Sequence, residues 1–302
     1  MLVLPPDGHV HTEWSWDAIA GSMERSCTRA VEFGLPSIAF TEHADFTRWA
    51  VTPEVAAQMR PLRAGRIGPD GRFRPPPLEA DAYLACVARC RDLFPGLRIL
   101  TGTELGEPHW HASEVRALLS RGGFDRVLGS VHSLALDGPW LVDHLFDRLG
   151  PDGLMRAYLE EVLRLADSTA PFAVLAHIDY PVRHWPETAG PFDATAYEHE
   201  YRAALGALAR SGRALEVNTV VPLPAVIVRW WYEAGGEELT FGSDAHRPGV
   251  VAREFARAAA MAQAAGFRPG RDPHDIWRRG QARVGFSAAT TRPPRSDGVR
   301  PR

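Results

Sequence analysis

Two histidines, His9 and His11, are the first residues of this 302-residue chain whose types and spacing suit chemistry. They stand at the end of the run from Leu2 to Val10, which predicts a β-strand, and the two-residue period of a strand puts both imidazoles on one face. Two imidazoles can reach one metal ion, but they do not complete its coordination. We therefore expect the rest of the chain to bring further ligands to the same place.

Further metal-ligand side chains recur along the chain, nearly all of them just after a short apolar run. The candidate ligands are six histidines and three carboxylates: His9, His11, Asp17, His43, Glu104, His132, His177, Asp244 and His246. Nine donors are too many for one tetrahedral ion and suit two or three adjacent ions that share a bridging carboxylate. Because the set holds no cysteine, we expect zinc, iron or manganese. A lone histidine at a strand end is commonly structural, but six of the chain's 12 histidines at such places are hard to explain in that way.

Short β-rich runs alternate with longer helical runs, and this alternation would present the candidate ligands. The predicted strands are Leu2–Val10, Ser37–Phe40, Leu97–Thr101, Arg126–Val131, Ala173–Ala176, Ala214–Val217 and Leu239–Gly242. The predicted helices are Met23–Phe33, Leu78–Leu93, Ala112–Ser120, Gly153–Asp167, Ala194–Arg210, Ala225–Ala234 and Val251–Ala265. With no internal repeat and no shift in composition, the pattern predicts one α/β domain built on a parallel sheet.

The ligand positions favour a barrel over an open sheet. A doubly wound sheet gathers ligands between two or three strands, whereas a barrel brings all its strand ends to one mouth, and here every predicted strand contributes. No glycine-rich phosphate loop follows the first strand, which removes the usual nucleotide-binding interpretation. We predict a single barrel domain over residues 1–289, with its active site at the C-terminal ends of the strands.

Two segments break the alternation. Residues 45–77 contain the sequence Gly-Pro-Asp-Gly and three consecutive prolines, which predicts a long loop over the mouth. Residues 290–302 are rich in arginine and proline and predict a disordered tail. Five tryptophans fall in predicted loops near the mouth, where they could line the pocket or simply pack: Trp14, Trp16, Trp49, Trp110 and Trp140.

The composition limits which binding partners and which cellular compartment we expect. The net charge of -3 gives no electrostatic basis for binding nucleic acid or an anionic membrane. The sequence holds no apolar stretch of membrane-spanning length and no signal-peptide pattern, and its three cysteines form no even disulfide framework. We therefore expect a cytoplasmic protein with no membrane or nucleic-acid partner, and the oligomeric state stays open.

Taken together and in order, the ligand motifs resemble those of the PHP (polymerase and histidinol phosphatase) family. They are Asp7-Gly8-His9-Val10-His11-Thr12, Thr41-Glu42-His43, Gly102-Thr103-Glu104, Gly129-Ser130-Val131-His132, Ala176-His177-Ile178-Asp179 and Gly242-Ser243-Asp244-Ala245-His246. The resemblance implies a distorted (β/α)7 TIM-like barrel with a trinuclear metal centre. Asp17, together with the runs at 130–132 and 216–218, resembles the histidinol-phosphate phosphatase branch of that family.

The resemblance also implies how two to three divalent ions divide the ligands. The implied groups are His9, His11, Glu104 and Asp244 for one ion; Glu104, as a bridge, with His132 and His177 for a second; and Asp17, His43 and His246 for a third. Adjacent ions lower the pKa of a shared water, which can then attack phosphorus in line. Glu104 and Asp244 are the expected catalytic residues, and either Asp244 or a water of the centre could protonate the leaving alkoxide.

The function implied by that branch is hydrolysis of L-histidinol phosphate to L-histidinol and phosphate, in histidine biosynthesis. Arg183, six residues after His177, is the candidate phosphate-binding cation, because a guanidinium binds phosphate through two parallel hydrogen bonds. Glu216 and Asn218 point the same way from one strand and could hold the amine end of the substrate, or could form a buried network instead.

Glu107 and His109, in the predicted loop after Glu104, are further substrate-binding candidates. Two other functions compete with histidinol phosphate hydrolysis. The same centre could act on a nucleotide, an oligonucleotide or another small phosphate ester, although the acidic net charge opposes a polymeric substrate. The chain could also be a non-catalytic metal-binding family member, which the filling of all nine ligand positions opposes.

Overall fold

The computed structural model describes residues 4–58, 65–274 and 276–280 of the chain. Its strands are β1 (Asp7–Val10), β2 (Ser37–Asp45), β3 (Trp49–Ala50), β4 (Arg72–Phe73), β5 (Arg98–Gly106), β6 (Arg126–Ser130), β7 (Ser133–Ala135), β8 (Pro139–Leu141), β9 (Val174–Leu175), β10 (Ala214–Asn218), β11 (Glu238–Gly242), β12 (Phe267–Arg268) and β13 (Trp277–Arg279). Its α-helices are α1 (Met23–Phe33), α2 (Pro53–Gln58), α3 (Ala80–Leu93), α4 (Ala112–Leu119), α5 (Phe146–Asp167), α6 (Glu198–Arg210), α7 (Ala225–Glu233) and α8 (Phe255–Ala264).

Seven of the described strands run parallel in one curved sheet. Their order is β1-β2-β5-β6-β9-β10-β11, and each neighbouring pair in this series is parallel. The hairpin of β12 and β13 adds to the β11 edge in the antiparallel sense. Helices follow most of the parallel strands, as in a TIM-like barrel, so the predicted fold class is confirmed.

The two ends of the parallel series meet and close the barrel. The backbone N–H of Asp244 donates to the carbonyl oxygen of His9 at 2.8 Å, and that of His11 donates to Ala245 at 2.9 Å. The buried carboxylate of Asp7 reinforces this seam, because it accepts the N–H of Ser243 at 3.0 Å. The seam therefore lies between the first and the last ligand-bearing segments of the chain.

Strand β2 is longer than the sequence predicts. It continues from Phe40 through the polar residues to Asp45, and it pairs with β5 without interruption from Ser37 to Asp45. Gly102 of β5 permits the close approach of its neighbours, because a Cβ there would lie 2.7 Å from the Cγ2 of Thr41. Hydrophobicity alone ended the predicted strand too early, since the polar end of β2 is buried inside the mouth.

Helix α1 shows how the sequence places a helix against the barrel. The side chain of Ser22 caps its first turn, and Gly34 ends it at a φ of 66°, a left-handed conformation that glycine adopts without steric cost. Met23, Cys27 and Ala30 are buried, and their spacing of four and three residues forms one apolar stripe. The helix has the predicted boundaries.

Residues 45–77 are not the plain loop that the sequence predicts. In its described part the segment contains β3, α2 and β4, and Trp49 of β3 pairs with Phe73 of β4. Both side chains are buried, and their rings stack with centroids 5.8 Å apart. The aromatic residues supply an apolar face that the Gly and Pro content obscures. We call β3, α2 and β4 together the aromatic flap.

The predicted disordered tail, residues 290–302, lies outside the described residues. No helix in the described ranges has the length and apolar character needed to span a membrane.

Candidate metal centre

The C-terminal ends of the parallel strands bring all nine predicted ligands together at one mouth of the barrel. His9 lies on β1, His43 on β2 and Glu104 on β5, His11 and Asp17 follow β1, His132 and His177 follow β6 and β9, and Asp244 and His246 follow β11. Seven of the nine are buried, whereas Asp17 and His246 are partly open to solvent. We call these nine side chains the ligand cluster.

Four donor atoms of the ligand cluster lie close enough to share one ion. His9 Nε2 is 2.9 Å from His11 Nε2 and 3.3 Å from Glu104 Oε2. Asp244 Oδ1 lies 3.3 Å from His11 Nε2 and 3.6 Å from His9 Nε2. Donors placed about 2.0–2.1 Å from a tetrahedral ion are themselves about 3.3 Å apart. These separations therefore fit a single tetrahedral site.

The other oxygen of Glu104 faces a second group. Glu104 Oε1 lies 2.7 Å from His177 Nε2 and 3.4 Å from His132 Nε2, and the two histidine nitrogens are 3.3 Å apart. Its Oε2 is buried and accepts no well-aligned hydrogen bond from the described residues. An unsatisfied buried carboxylate oxygen is costly, and a cation would satisfy it. Glu104 is thus placed to bridge two ions.

A third group is more open to solvent. Asp17 Oδ2 lies 3.3 Å from His43 Nε2 and 3.2 Å from His246 Nε2. Three trios of the cluster each offer donor atoms within 4.8 Å of one another: His9 with His11 and Asp244, His11 with His43 and His246, and His43 with Glu104 and His132. The donor chemistry and the spacing make this a site that can hold metal ions.

Opposite charges stabilise the ligand cluster in the structure. Burial alone would lower the pKa of His9, but the surrounding carboxylates, Glu216 foremost, raise this pKa well above its ordinary value. Burial alone would raise the pKa of Glu104, but His9 and His132 hold it well below its ordinary value. Burial lowers the pKa of His177 to about 4. Because ligands must be deprotonated, ion binding would release protons from the histidines of raised pKa.

Two ligand positions have unusual backbone conformations. His177 has a φ of 24° and Asp244 a φ of 48°, both in the left-handed region that non-glycine residues seldom adopt. Such conformations cost on the order of 1–3 kcal/mol each and persist where the surrounding structure enforces them. At Asp244 the enforcement is visible, because its N–H makes the barrel-closing hydrogen bond to His9.

A cavity of about 580 Å³ opens onto the ligand cluster. Arg183 lines it, and Nη2 of this arginine donates to Asp244 Oδ2 at 2.5 Å. The guanidinium also lies over the ring of Tyr180, 4.8 Å from its centroid. Burial alone would lower the pKa of Arg183, but Asp244, Tyr180 and Asp179 together raise it above its ordinary value, so the arginine stays charged. The sequence-predicted cation therefore faces the ligand cluster.

Comparison with known proteins shows to which family the chain belongs. The family model described as "PHP domain" matches residues 7–220, which is more than half of the chain. The chain belongs to the PHP domain family. The matched range takes in seven of the nine residues of the ligand cluster, and Asp244 and His246 follow it.

Relatives of this PHP chain share one name. A protein named probable histidinol-phosphatase from Thermotoga maritima is 33% identical over 138 residues, which cover 43% of this chain and 52% of that protein. One of the same name from Deinococcus radiodurans is 29% identical over 266 residues, covering 83% and 90%. The crystal structure of histidinol phosphate phosphatase from Lactococcus lactis, complexed with zinc, L-histidinol and phosphate, matches with a TM-score of 0.73 at 22% identity, over 90% of this chain and 98% of that one. The structural likeness supports the barrel fold.

In this PHP barrel Glu216 and Asn218 lie behind the ligands, and neither is among the described residues that line the cavity. Glu216 Oε1 lies 2.7 Å from His9 Nδ1, and Glu216 Oε2 accepts the backbone N–H of His177 at 2.9 Å. Asn218 Nδ2 donates to Glu216 Oε2 at 3.0 Å. The cavity lining gives the predicted substrate contact no support, and one carboxylate contacts ligands of two groups. The alternative from the sequence, a buried network, describes the arrangement.

Glu107 and His109 also have other partners than a substrate in the described part of the chain. The buried carboxylate of Glu107 accepts the backbone N–H groups of His132 at 2.6 Å and Ser133 at 2.8 Å. His109 Nε2 lies 2.6 Å from Glu161 Oε1. Glu107 thus fixes the backbone that carries His132, and neither Glu107 nor His109 is among the described residues that line the cavity.

Two of the five tryptophans that were predicted near the mouth line the cavity. Trp16 and Trp49 line the cavity, the second as part of the aromatic flap. Among the described residues, the lining does not include the other three tryptophans, Trp14, Trp110 and Trp140.

Asp45 is a site residue that the sequence analysis did not single out. Its carboxylate lies 3.6 Å from His132 Nδ1 and 3.8 Å from His43 Nδ1, and it accepts Trp16 Nε1–H at 2.8 Å. It stands two residues after His43 on β2, so the period of a strand puts both on one face. The two-residue spacing could have identified Asp45, but the predicted strand ended at Phe40, before both residues.

The sequence also did not reveal a buried chain of hydrogen bonds behind His11. His11 Nδ1 lies 2.9 Å from Ser15 Oγ, which donates to Glu42 Oε2 at 2.6 Å. Thr12 adds a hydroxyl donor to Glu42 Oε1 at 2.5 Å. Partners of this kind fix the tautomer and orientation of a metal-binding histidine.

Proposed function

We propose that this chain is a metal-dependent phosphomonoesterase that hydrolyses L-histidinol phosphate to L-histidinol and phosphate. The observation that carries the proposal is a compact cavity in which one arginine, Arg183, faces a cluster of six histidines and three carboxylates. The name histidinol-phosphatase, borne by a relative aligned over 83% of this chain, supports the same substrate. A cavity of about 580 Å³ suits a small phosphomonoester.

We assign two or three divalent ions, zinc, manganese or iron, to the ligand cluster. The spacing of the donors near 3.3 Å and the unsatisfied Oε2 of Glu104 support this fit. His9, His11, Glu104 and Asp244 would hold the first ion; Glu104, His132 and His177 the second; and Asp17, His43 and His246 the third. Ions bound there would lower the pKa of water to near 7 and neutralise charge on the phosphoryl oxygens.

Arg183 orients the phosphate. One of its terminal nitrogens donates to Asp244, and the remaining N–H groups are available for phosphoryl oxygens on the cavity side. Asp244 is fully used, because Oδ1 faces His9 and His11 while Oδ2 accepts from Arg183. We therefore assign protonation of the leaving alkoxide to a water in the cavity, and to Asp244 the holding of both a metal ion and Arg183.

Asp143 is the proposed partner for the amine end of the substrate. It lies on the cavity wall, and in the described residues its carboxylate approaches His144, at 3.7 Å, and none of the cluster histidines. A carboxylate that is free of the ligand cluster can attract an ammonium group without competing with a metal ion. Trp16, Trp49 and Phe73 line the cavity with aromatic surface against which a planar imidazole can pack.

The same cavity opposes the competing functions. Arg183 is the only arginine lining the cavity in the described ranges, so the cavity offers no basic track for a polynucleotide backbone. A non-catalytic metal-binding role is disfavoured because all nine ligand positions are filled beside a cavity that Arg183 also lines. A small phosphate ester other than histidinol phosphate would use the same phosphate contacts and would differ only at Asp143 and the aromatic wall.

The test is a panel of phosphomonoesters, nucleotides and one phosphodiester, assayed with zinc or manganese on the parent protein and on Asp143→Asn. We expect L-histidinol phosphate to give the highest kcat/KM, and Asp143→Asn to raise its KM about tenfold or more without affecting p-nitrophenyl phosphate. Asp137→Asn, an exposed aspartate paired with Arg148, is the matched control. A strong preference for a nucleotide or a diester would overturn the assignment.

A further inference from the structure

A second large cavity, of about 590 Å³, lies at the opposite end of the barrel from the metal centre. Arg98 and Arg126, which line it, are the first residues of β5 and β6, whereas the ligands stand toward the other ends of the parallel strands. Arg271 and His274, which lie between β12 and β13, supply the facing wall. The volume lies within the range of small-molecule cavities. We call it the N-terminal cavity.

The lining of the N-terminal cavity is strongly cationic. It holds four arginines and a single carboxylate, Asp125, among the described residues. That carboxylate is already occupied, because it contacts Arg91 at 3.1 Å and accepts the backbone N–H of Thr101 at 3.0 Å. Within the described part of the chain, Arg278 is the one lining arginine with an ion pair of its own, to Glu238 at 2.8 Å. Among the described lining residues, four guanidinium groups therefore stand against one carboxylate that is already paired.

Three guanidinium groups face the N-terminal cavity without a carboxylate in ion-pair contact within the described ranges: Arg98, Arg126 and Arg271. Arg126 is the least exposed of them, and its Nη1 occupies the space that a Cβ on Gly8 would fill. Burial lowers the pKa of Arg126, Glu216 opposes this effect, and the like charge of Arg98 adds to it. A shielded cation beside a second cation is a place where an anion is stabilised.

We propose that the N-terminal cavity binds a small oligophosphate through Arg98, Arg126, Arg271 and Arg278. Guanidinium groups bind phosphate oxygens in pairs of parallel hydrogen bonds, and more than one phosphate group is needed to engage arginines from opposite walls of the cavity. Leu100 and Ile276 give the lining an apolar part that a purely inorganic ion does not require. A nucleoside diphosphate or triphosphate matches both features. This site is separate from the phosphomonoester site proposed above and does not depend on it.

The experiment is titration calorimetry of the metal-loaded protein with ADP and with inorganic pyrophosphate at constant ionic strength. Both probes can also reach the metal centre, so the parent is compared with Arg183→Ala and with the double variant Arg98→Ala/Arg271→Ala. Both substituted arginines of the double variant are exposed, which spares the fold. We expect the double variant to weaken one binding event at least tenfold, and Arg183→Ala to leave that event unchanged.

The control for loss of charge is Arg116→Ala combined with Arg121→Ala, two exposed arginines outside the N-terminal cavity. These changes should leave the affinity within twofold of the parent. The proposal is overturned if the double variant at Arg98 and Arg271 binds both probes as the parent does. It is equally overturned if Arg183→Ala removes all binding, or if the control weakens binding as much as the test variant. ADP binding at least tenfold tighter than pyrophosphate would support the nucleotide, and the reverse order would support the simple oligophosphate.

Discussion

Glu216→Gln tests whether the buried carboxylate behind the ligands positions metal ligands or contacts substrate. Glu216 Oε1 is 2.7 Å from His9 Nδ1 and its Oε2 accepts the N–H of His177, so one side chain supports ligands of two groups. Glutamine keeps the volume but has a single acceptor oxygen, and it loses one of these contacts. Loss of such an outer partner typically weakens metal binding by about 10–100-fold. That corresponds to about 1.4–2.7 kcal/mol for the affected ion.

The assay separates the two roles by varying metal and substrate independently. If Glu216 positions His9, activity at limiting zinc should fall and should recover toward that of the parent as zinc is raised, with KM little changed. Competition with a chelator should show the lower affinity directly. Glu233→Gln, an exposed glutamate paired with Arg202, is the matched control. A raised KM at saturating zinc, with metal affinity equal to that of the parent, would refute the positioning role and restore a substrate contact.

Three further outcomes follow from the same geometry. Elemental analysis should find two to three metal equivalents in the parent, and Glu104→Gln should lose more than one of them, because both oxygens of Glu104 face histidine donors; at most one metal in both proteins would contradict the bridge. Arg183→Ala should raise KM if the arginine holds phosphate equally in ground and transition states, or lower kcat if it acts only in the transition state; kinetics equal to the parent would show that it touches neither. In the metal-free protein, burial alone would lower the pKa of His43. The carboxylate of Asp17, together with those of Asp45 and Glu104, outbalances burial, and the pKa rises to about 9 from an unfolded value near 6.5. The stabilisation from its charged form is complete below about pH 6.5 and is lost as pH rises through 9, about 3 kcal/mol in all. The melting temperature in chelator should therefore fall between pH 6.5 and 9, and a rise across that window would contradict the assignment.

The sequence predicts the barrel and the ligand cluster because both depend on local signals. A short apolar run followed by histidine or a carboxylate predicts a strand end, as at His9, Glu104 and Asp244, and parallel strands must bring such ends to one mouth. No local sequence pattern, however, shows how deep a side chain lies along the barrel axis. Glu216 and Asn218 share a face in the sequence, but only the packed barrel puts them behind the ligands instead of on the cavity wall.

Tertiary packing also explains the other differences. Four of residues 41–45 are polar, so hydrophobicity ended the predicted strand at Phe40, but nine paired positions with β5 extend β2 to Asp45. The aromatic flap depends on Trp49 meeting Phe73 across a separation that no local pattern reveals. In both places the missing information is which distant residue lies opposite.

The seam that closes the barrel ties the metal centre to the order of synthesis and folding. Asp7 and Ser243, which meet at this seam, are 236 positions apart in the chain. His9 and Asp244 therefore cannot share an ion until almost all of the barrel has been made and its last strand has docked beside the first. A chain emerging from the ribosome would hold at most part of the site. An ion bound afterwards would link the first and last strands across the seam. Because such an ion resists opening of the seam, the loaded protein should unfold more slowly than the metal-free one, even where their refolding rates agree.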